Sequence, residues 1–341
     1  MISFLIRHLL ESTFFCLLLS GLACCLRKGA TARHAVLLMG AAKFAIPTVL
    51  LAHTGEEIAF FWPAGVWLSW VTYKISLTLA TIQNLFSAGR EVELLTAWAC
   101  GTVMMAVIWL VRWWRSKPVL TLPTKREREA LARARAILWA PGDVRLCCSQ
   151  ESIEPAVRGT WRPTITIPKG LSGQLTPAEF EGVLLHELAH VRRFDNLTAV
   201  FVHAVVCLFW FHPLLWRVER RLTVERERAC DETVIACDVK PQVYAAGILK
   251  VCQFRIFDTI PGVSAVTGAD LKRRLELILD KQAPVSLMYV PWLLMAGLTV
   301  FMTLVPVAGG YCAQCAQTAA VSGVHCPTPA TCAEGLRKGI Q

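Results

Sequence analysis

Two histidines and a glutamate in the middle of the chain have the types and spacing to hold a metal ion and do acid–base chemistry. His186, Glu187 and His190 form an H-E-x-x-H pattern in a segment with helical periodicity. Residues four apart lie on one helical face, so both imidazoles can reach a single ion. Glu187 projects beside that face, where it can take a proton from an attacking water. A solvated helix that happens to carry two histidines is the alternative interpretation.

The residues before the motif predict the helix that positions it. Thr176, Pro177 and Glu179 supply an N-cap, a proline in the first turn and a capping-box acid. The helix would bury an apolar stripe that runs through the motif, formed by Leu184, Leu185, Leu188 and Val191.

A strongly charged helix predicted from Arg217 to Cys237 must supply the third ligand, because catalytic zinc usually takes three protein ligands and leaves a position for water. Spacing alone does not choose among its acids. Glu227 and Asp231 lie one turn apart, which suits a ligand and a supporting acid. The acids that could serve are Glu219, Glu225, Glu227, Asp231 and Glu232.

Composition places the chain at a membrane. Of 341 residues, 55% are hydrophobic, and the formal net charge is +10; the mean hydropathy is +0.48. The basic residues lie mostly beside apolar segments, as expected for cytoplasmic flanks of membrane spans. We therefore expect contact with a lipid bilayer and no direct binding of nucleic acid.

The apolar segments predict four transmembrane helices, each long enough for the hydrocarbon core. A cleaved signal peptide is the alternative for the first, and the second carries Lys43, which should face protein, water or a partner. Between the second and third spans, residues 53–93 form an extracytoplasmic loop with amphipathic helices in the bilayer surface, or a re-entrant hairpin. The predicted spans are residues 3–26, 35–52, 94–114 and 285–307.

Residues 117–282 then form a cytoplasmic domain. A helix is predicted from Lys125 to Arg135, with strands at Arg145–Cys148 and Pro163–Pro168. The second strand is either an edge strand that pairs with an extended substrate or a plain structural strand. Residues 197–216 are long enough to cross the bilayer. A crossing would place the acids of Arg217–Cys237 on the opposite membrane face from His186 and His190. We therefore expect a core helix, or a segment that dips into the membrane and returns. His203 and His212 are interpreted as interior or interfacial histidines.

Three segments together resemble the membrane metallopeptidase family of the bacterial beta-lactam sensor-transducers. They are Thr176–Asn196 with its H-E-L-A-H-V-R-R-F-D-N run, Phe211–Trp216 (F-H-P-L-L-W), and Glu225–Glu232 (E-R-E-R-A-C-D-E). The order of spans, three before the zinc domain and one after it, is also similar. The resemblance implies one zinc ion, with Glu227 as third ligand beside His186 and His190, and with Asp231 and Asp195 as supporting acids.

The chain departs from that family after the fourth span. The sensor-transducers carry a large outside penicillin-binding domain with an S-x-x-K serine, and this sequence contains no S-x-x-K. Direct covalent sensing of beta-lactams is therefore not expected. Residues 308–341 form a short extracytoplasmic tail whose cysteines could make two disulfides or hold a metal: Cys312, Cys315, Cys326 and Cys332.

The resulting expectation is a mainly α, polytopic protein of a bacterial inner membrane, with a zincin-like α+β metallopeptidase domain facing the cytoplasm. It would be a gluzincin-like zinc endopeptidase with Glu187 as general base, and it would cleave a cytoplasmic repressor or itself. A homodimer is compatible with this interpretation. The alternatives are a constitutive membrane peptidase without a sensory role and a non-catalytic zinc-binding scaffold or receptor.

Overall fold

A computed structural model describes residues 2–26, 29–46, 91–115, 118–140, 143–151, 154–257 and 268–280. Residues 53–90 of the predicted outside loop, the predicted span 285–307 and the tail with its four cysteines lie outside these residues. Every cysteine within them has a free thiol.

Among the described residues of the apolar N-terminal third there are three helices, α1 (Ile2–Cys25), α2 (Ala30–Ala45) and α3 (Glu91–Arg115). Among the described residues, two helices are long and apolar enough to cross a membrane, through His8–Cys25 of α1 and Val92–Arg115 of α3. The described part of α2 has only 16 residues. The four-span topology therefore stays a prediction. Lys43 in α2 is buried, in keeping with a lysine that avoids lipid.

The H-E-x-x-H motif belongs to a compact unit made of Ala23–Leu38 and Thr102–Leu287. Its strands are β1 (Leu120–Thr121), β2 (Arg145–Ser149), β3 (Ala156–Arg158) and β4 (Thr164–Pro168). They form a sheet in the order β1-β2-β4-β3, with β2 and β4 parallel and the outer pairs antiparallel. Buried Ile165 and Ile167 alternate with threonines along β4.

The structure decides between the two alternatives for the strand predicted at Pro163–Pro168. It is a plain structural strand and not an edge strand, because β4 pairs with β2 on one side and β3 on the other. The edge beside the H-E-x-x-H helix belongs to β3, whose three residues gave no periodic signal in the sequence.

The other described helices of the unit are α4 (Lys125–Ile137), α5 (Leu171–Gln174), α6 (Pro177–Arg192), α7 (Asp195–Leu208), α8 (Pro213–Ala236), α9 (Pro241–Phe257) and α10 (Gly268–Leu279). Helix α6 lies at the centre of the unit, packed against α4, α8 and α9. The apolar stripe predicted for α6 is buried along its length.

The apolar segment 197–216 is not one continuous helix. Helix α7 ends at Leu208, a turn follows, and Pro213 opens α8. The 14 residues of α7 are fewer than a span needs. The structure therefore keeps the acids of α8 in the same compact unit as the histidines of α6.

Candidate metal centre

The start of α6 is fixed by its own first turn. Thr176 accepts a hydrogen bond from the Glu179 N–H, and the Glu179 carboxylate accepts one from the Thr176 N–H, which completes the predicted capping box. Lys250 of α9 donates to both Glu179 oxygens at 2.8 and 2.7 Å. The capping box and the ion pair together set the position of the helix that carries the motif.

Three potential metal ligands converge at the middle of α6 and α8. The Nε2 atoms of His186 and His190 are 3.2 Å apart. An oxygen of Glu227 lies 3.4 Å from the His186 Nε2 and another 3.8 Å from the His190 Nε2. Ligands at 2.0–2.1 Å from a tetrahedral zinc ion are separated by about 3.3 Å, so the three groups fit one such ion.

Asp195 orients the second histidine. It is 1% exposed, and it accepts a hydrogen bond from the His190 Nδ1 at 2.8 Å. Because a carboxylate only accepts, His190 carries its proton on Nδ1 and keeps the Nε2 lone pair for a metal. Phe194, in the left-handed region at φ 54°, makes the tight turn between α6 and α7 that brings Asp195 back to His190.

Charge around Asp195 keeps it ionised. Burial raises the pKa of Asp195, but the hydrogen bond from His190 and the Arg193 guanidinium outweigh burial and hold that pKa below its usual value. The Arg193 Nε donates to both Asp195 oxygens at 3.3 Å. A buried carboxylate beside a metal-binding imidazole makes that imidazole a stronger ligand.

The first histidine is held by two residues that the sequence did not single out. The Tyr244 hydroxyl of α9 lies 2.8 Å from the His186 Nδ1 and donates to Asp231 at 2.6 Å. Arg274 of α10 makes two 2.7 Å hydrogen bonds to the same carboxylate. Asp231 thus supports His186 chiefly through Tyr244, since its direct distance to the His186 Nδ1 is 3.3 Å.

The ligand charges are strongly coupled. Burial lowers the pKa of His186, but hydrogen bonds to Asp231 and Glu227 more than offset it and raise that pKa to about 9. Burial raises the pKa of Glu227, yet the two histidines and Arg274 hold it far below its usual range. A cation between the histidines and Glu227 is therefore favoured, and a metal ion would displace a proton there.

Glu187 lies beside the ligands in the wall of a cavity of about 590 Å³. It is buried, and burial raises the pKa of its carboxyl group despite the neighbouring histidines. A carboxylate with a raised pKa is the more effective proton acceptor near neutral pH. Apolar side chains of three helices line the cavity on one side, namely Val183, Ile248, Val251, Cys252 and Leu271.

The other acids of α8 have different partners. Glu219 bonds the His203 Nδ1 at 2.6 Å. Glu225 pairs with Arg33 at 2.7 Å. Glu232 accepts the backbone N–H of Ala30 at the start of α2. Of the five candidate acids, Glu227 alone therefore reaches both His186 and His190. His203 contacts Glu219, and His212 is the N-cap residue of α8.

The family model described as BlaR1 peptidase M56 matches residues 4–278. Regulatory protein BlaR1 of Bacillus licheniformis is 37% identical over 81 residues, which cover 24% of this chain and 13% of that protein. Methicillin resistance mecR1 protein of Staphylococcus aureus is 28% identical over 81 residues, 24% of this chain and 14% of that protein. The chain thus matches about one seventh of these relatives' length.

Proposed function

The chain belongs to the BlaR1 peptidase M56 family, and from that membership we propose that it is a zinc-dependent endopeptidase of the membrane that acts in regulatory signalling. One observation carries the proposal. Two histidines, a glutamate ligand and a buried general base meet at one cavity with the spacing of a single zinc site. A purely structural site would not require Glu187 beside its ligands.

His186, His190 and Glu227 would hold the metal. When bound there, a zinc ion would acidify water and polarise the scissile carbonyl. Glu187 accepts the proton of the attacking water and returns it to the leaving amine. Asp195 fixes the orientation of His190 throughout, because its hydrogen bond is made on the side of the ring away from the metal.

The substrate would lie along β3. Ala156 and Val157 line the cavity, and β4 occupies only one side of β3. An extended peptide can pair with such an edge by main-chain hydrogen bonds. Asn196 of α7 donates to the carbonyl groups of Val157 and Gly159 at 3.1 and 2.9 Å, which ties β3 to the helix that carries Asp195.

A regulatory role is favoured over a constitutive one by contacts between α2 and the metal-bearing helices. Arg33 pairs with Glu225 at 2.7 Å, and the Ala30 N–H is capped by Glu232. Glu225 and Glu232 flank Glu227 on α8. Displacement of the first turn of α2 would therefore pull on the helix that supplies the third ligand. This arrangement suits a peptidase whose rate depends on a membrane helix.

The setting proposed is a bacterial inner membrane crossed several times, with residues 117–282 in the cytoplasm. Helix α3 is apolar and exposed along its span, as expected for contact with lipid. The substrate proposed is a protein, either a cytoplasmic transcriptional repressor or the chain itself, and a homodimer is compatible with the second case.

Detergent-purified wild type and Glu187→Gln can be compared on a peptide library made from a bacterial proteome, with cleavage products read by mass spectrometry. The proposal expects zinc-dependent endopeptidase products from the wild type and none from the variant. Identical product sets from both proteins would contradict the assignment of Glu187 and with it the peptidase mechanism.

A further inference from the structure

The hydrogen-bond partner of the His186 Nδ1 determines whether the other ring nitrogen, Nε2, can bind a metal. Its Nδ1 lies 2.8 Å from the hydroxyl oxygen of Tyr244, closer than the 3.3 Å to the nearest Asp231 oxygen. Tyr244 is 1% exposed, so water does not compete for these contacts.

Counting protons assigns the direction of each hydrogen bond. A phenol has one hydrogen, and Tyr244 uses it at 2.6 Å to Asp231, which as a carboxylate can only accept. The Tyr244 oxygen must then accept from His186, which places the imidazole proton on Nδ1. A metal can then bind the Nε2 of His186, which lies 3.2 Å from the His190 Nε2, 3.4 Å from a Glu227 oxygen and 3.4 Å from a terminal nitrogen of Arg274.

Arg274 holds the end of this chain. Its Nε and one terminal nitrogen each bond a separate oxygen of Asp231 at 2.7 Å, a two-pronged contact that fixes the carboxylate in rotation as well as position. Its remaining nitrogen lies 3.8 Å from Glu227. The fixed carboxylate keeps its Oδ1 3.3 Å from the His186 Nδ1, and the Tyr244 hydroxyl makes the shorter contact to that nitrogen at 2.8 Å.

We propose that Tyr244 and Arg274 are positioning residues of the metal centre: Tyr244 sets the metal-binding tautomer of His186, and Arg274 fixes the Asp231 acceptor that orients the Tyr244 hydroxyl. This inference rests on the proposed function, since it concerns the same metal. It assigns a role in metal binding to α9 and α10, which contribute no ligand of their own.

The test measures zinc affinity in full-length, detergent-purified protein by competition with a chromophoric chelator. Loss of an orienting partner of a metal-bound histidine typically weakens binding 10–100-fold. Tyr244→Phe removes one oxygen and is expected to weaken zinc binding about tenfold. Ile248→Val, one turn along α9 in the same cavity wall, is the matched control and should stay within about twofold of wild type, since it removes no hydrogen bond.

Two substitutions of Arg274 give a second, independent test, because they should weaken zinc binding to different extents. Arg274→Gln should weaken zinc binding about tenfold, and Arg274→Lys, which keeps the charge but not the two-pronged contact, should recover part of the loss. In cobalt-substituted protein the visible absorption reports ligand geometry, so Tyr244→Phe and Arg274→Gln should alter the spectrum and Ile248→Val should not.

The proposal would be overturned if Tyr244→Phe and Arg274→Gln both matched Ile248→Val in zinc affinity and cobalt spectrum. That result would mean that Asp231 orients His186 without Tyr244 or Arg274. Should Tyr244→Phe not purify folded, the Arg274 pair decides by itself. None of these readouts depends on cleavage, so a chain that binds zinc as described but hydrolyses nothing would contradict the proposed peptidase function and leave this inference standing.

Discussion

Replacing Asp195 by asparagine tests how much the metal centre depends on a residue that does not contact the metal. The carboxylate is 1% exposed and binds the His190 Nδ1 at 2.8 Å and the Arg193 Nε at 3.3 Å. Asparagine keeps an oxygen that can accept from the imidazole but removes the negative charge. Asp195→Ala removes both the acceptor and the charge.

The size of the effect follows from those two losses. Supporting partners of metal-bound histidines are typically worth 10–100-fold in metal affinity. Asp195→Asn should fall at the low end, about tenfold, or about 1.4 kcal/mol of binding free energy. Asp195→Ala should approach 100-fold, about 2.7 kcal/mol, because the Nδ1 proton loses its carboxylate and keeps only a weak contact with the Cys230 sulfur at 3.3 Å.

Zinc competition with a chelator, on detergent-purified protein, measures both variants. Glu219→Gln is the matched control, because Glu219 also bonds the Nδ1 of a histidine, His203, at 2.6 Å but is separate from the three ligands. Its zinc affinity should equal that of the wild type. An unchanged zinc affinity in Asp195→Ala would show that the buried carboxylate does not fix His190 for metal binding.

Four further outcomes are expected. His190→Ala should lose zinc and cleavage together, measured by metal analysis and product formation. Thr176→Ala should lower the free energy of unfolding by about 1 kcal/mol, since it removes the side-chain cap of α6, and a denaturant titration checks this. The Lys250 ion pair and the Thr176 hydrogen bonds hold the pKa of Glu179 below its usual 4.5, despite the opposing effect of burial. The ion pair between Lys250 and Glu179 therefore stabilises the fold above about pH 4.5, and this stabilisation is lost as the pH falls. The drop in melting temperature at acid pH should accordingly be smaller in Lys250→Met than in the wild type. Arg33→Gln should leave zinc affinity within about twofold but change the cleavage rate in proteoliposomes, because it releases α2 from Glu225 without touching a ligand.

The centre of the site could be predicted because its signals are local. A capping box, an apolar stripe and two histidines one turn apart fall within 17 consecutive residues, from Thr176 to Arg192, and each has a direct structural meaning. The third ligand was open on spacing alone, since five acids lie on one charged helix. The family resemblance pointed to Glu227, and the structure brings that residue to both histidines.

The outer parts of the site lacked any such signal. Tyr244 and Arg274 reach His186 from 58 and 88 residues away, so no periodicity near the motif announces them. In the sequence, Arg274 lies among basic residues shortly before the predicted span 285–307, where basic residues are expected as cytoplasmic flanks. The sequence also could not predict that β4 lies inside the sheet. Its position depends on pairing with β3, which has only three residues and no alternation of apolar and polar side chains.

Metal content measured together with self-cleavage tests whether this chain holds a zinc site with Glu187 as its base. Detergent-purified wild type and Glu187→Gln would be analysed side by side, with His190→Ala as the metal-free reference. We expect about one zinc per chain in the first two proteins and cleavage fragments from the wild type alone. Full cleavage activity in Glu187→Gln, or a wild type that holds no more zinc than His190→Ala, would contradict it.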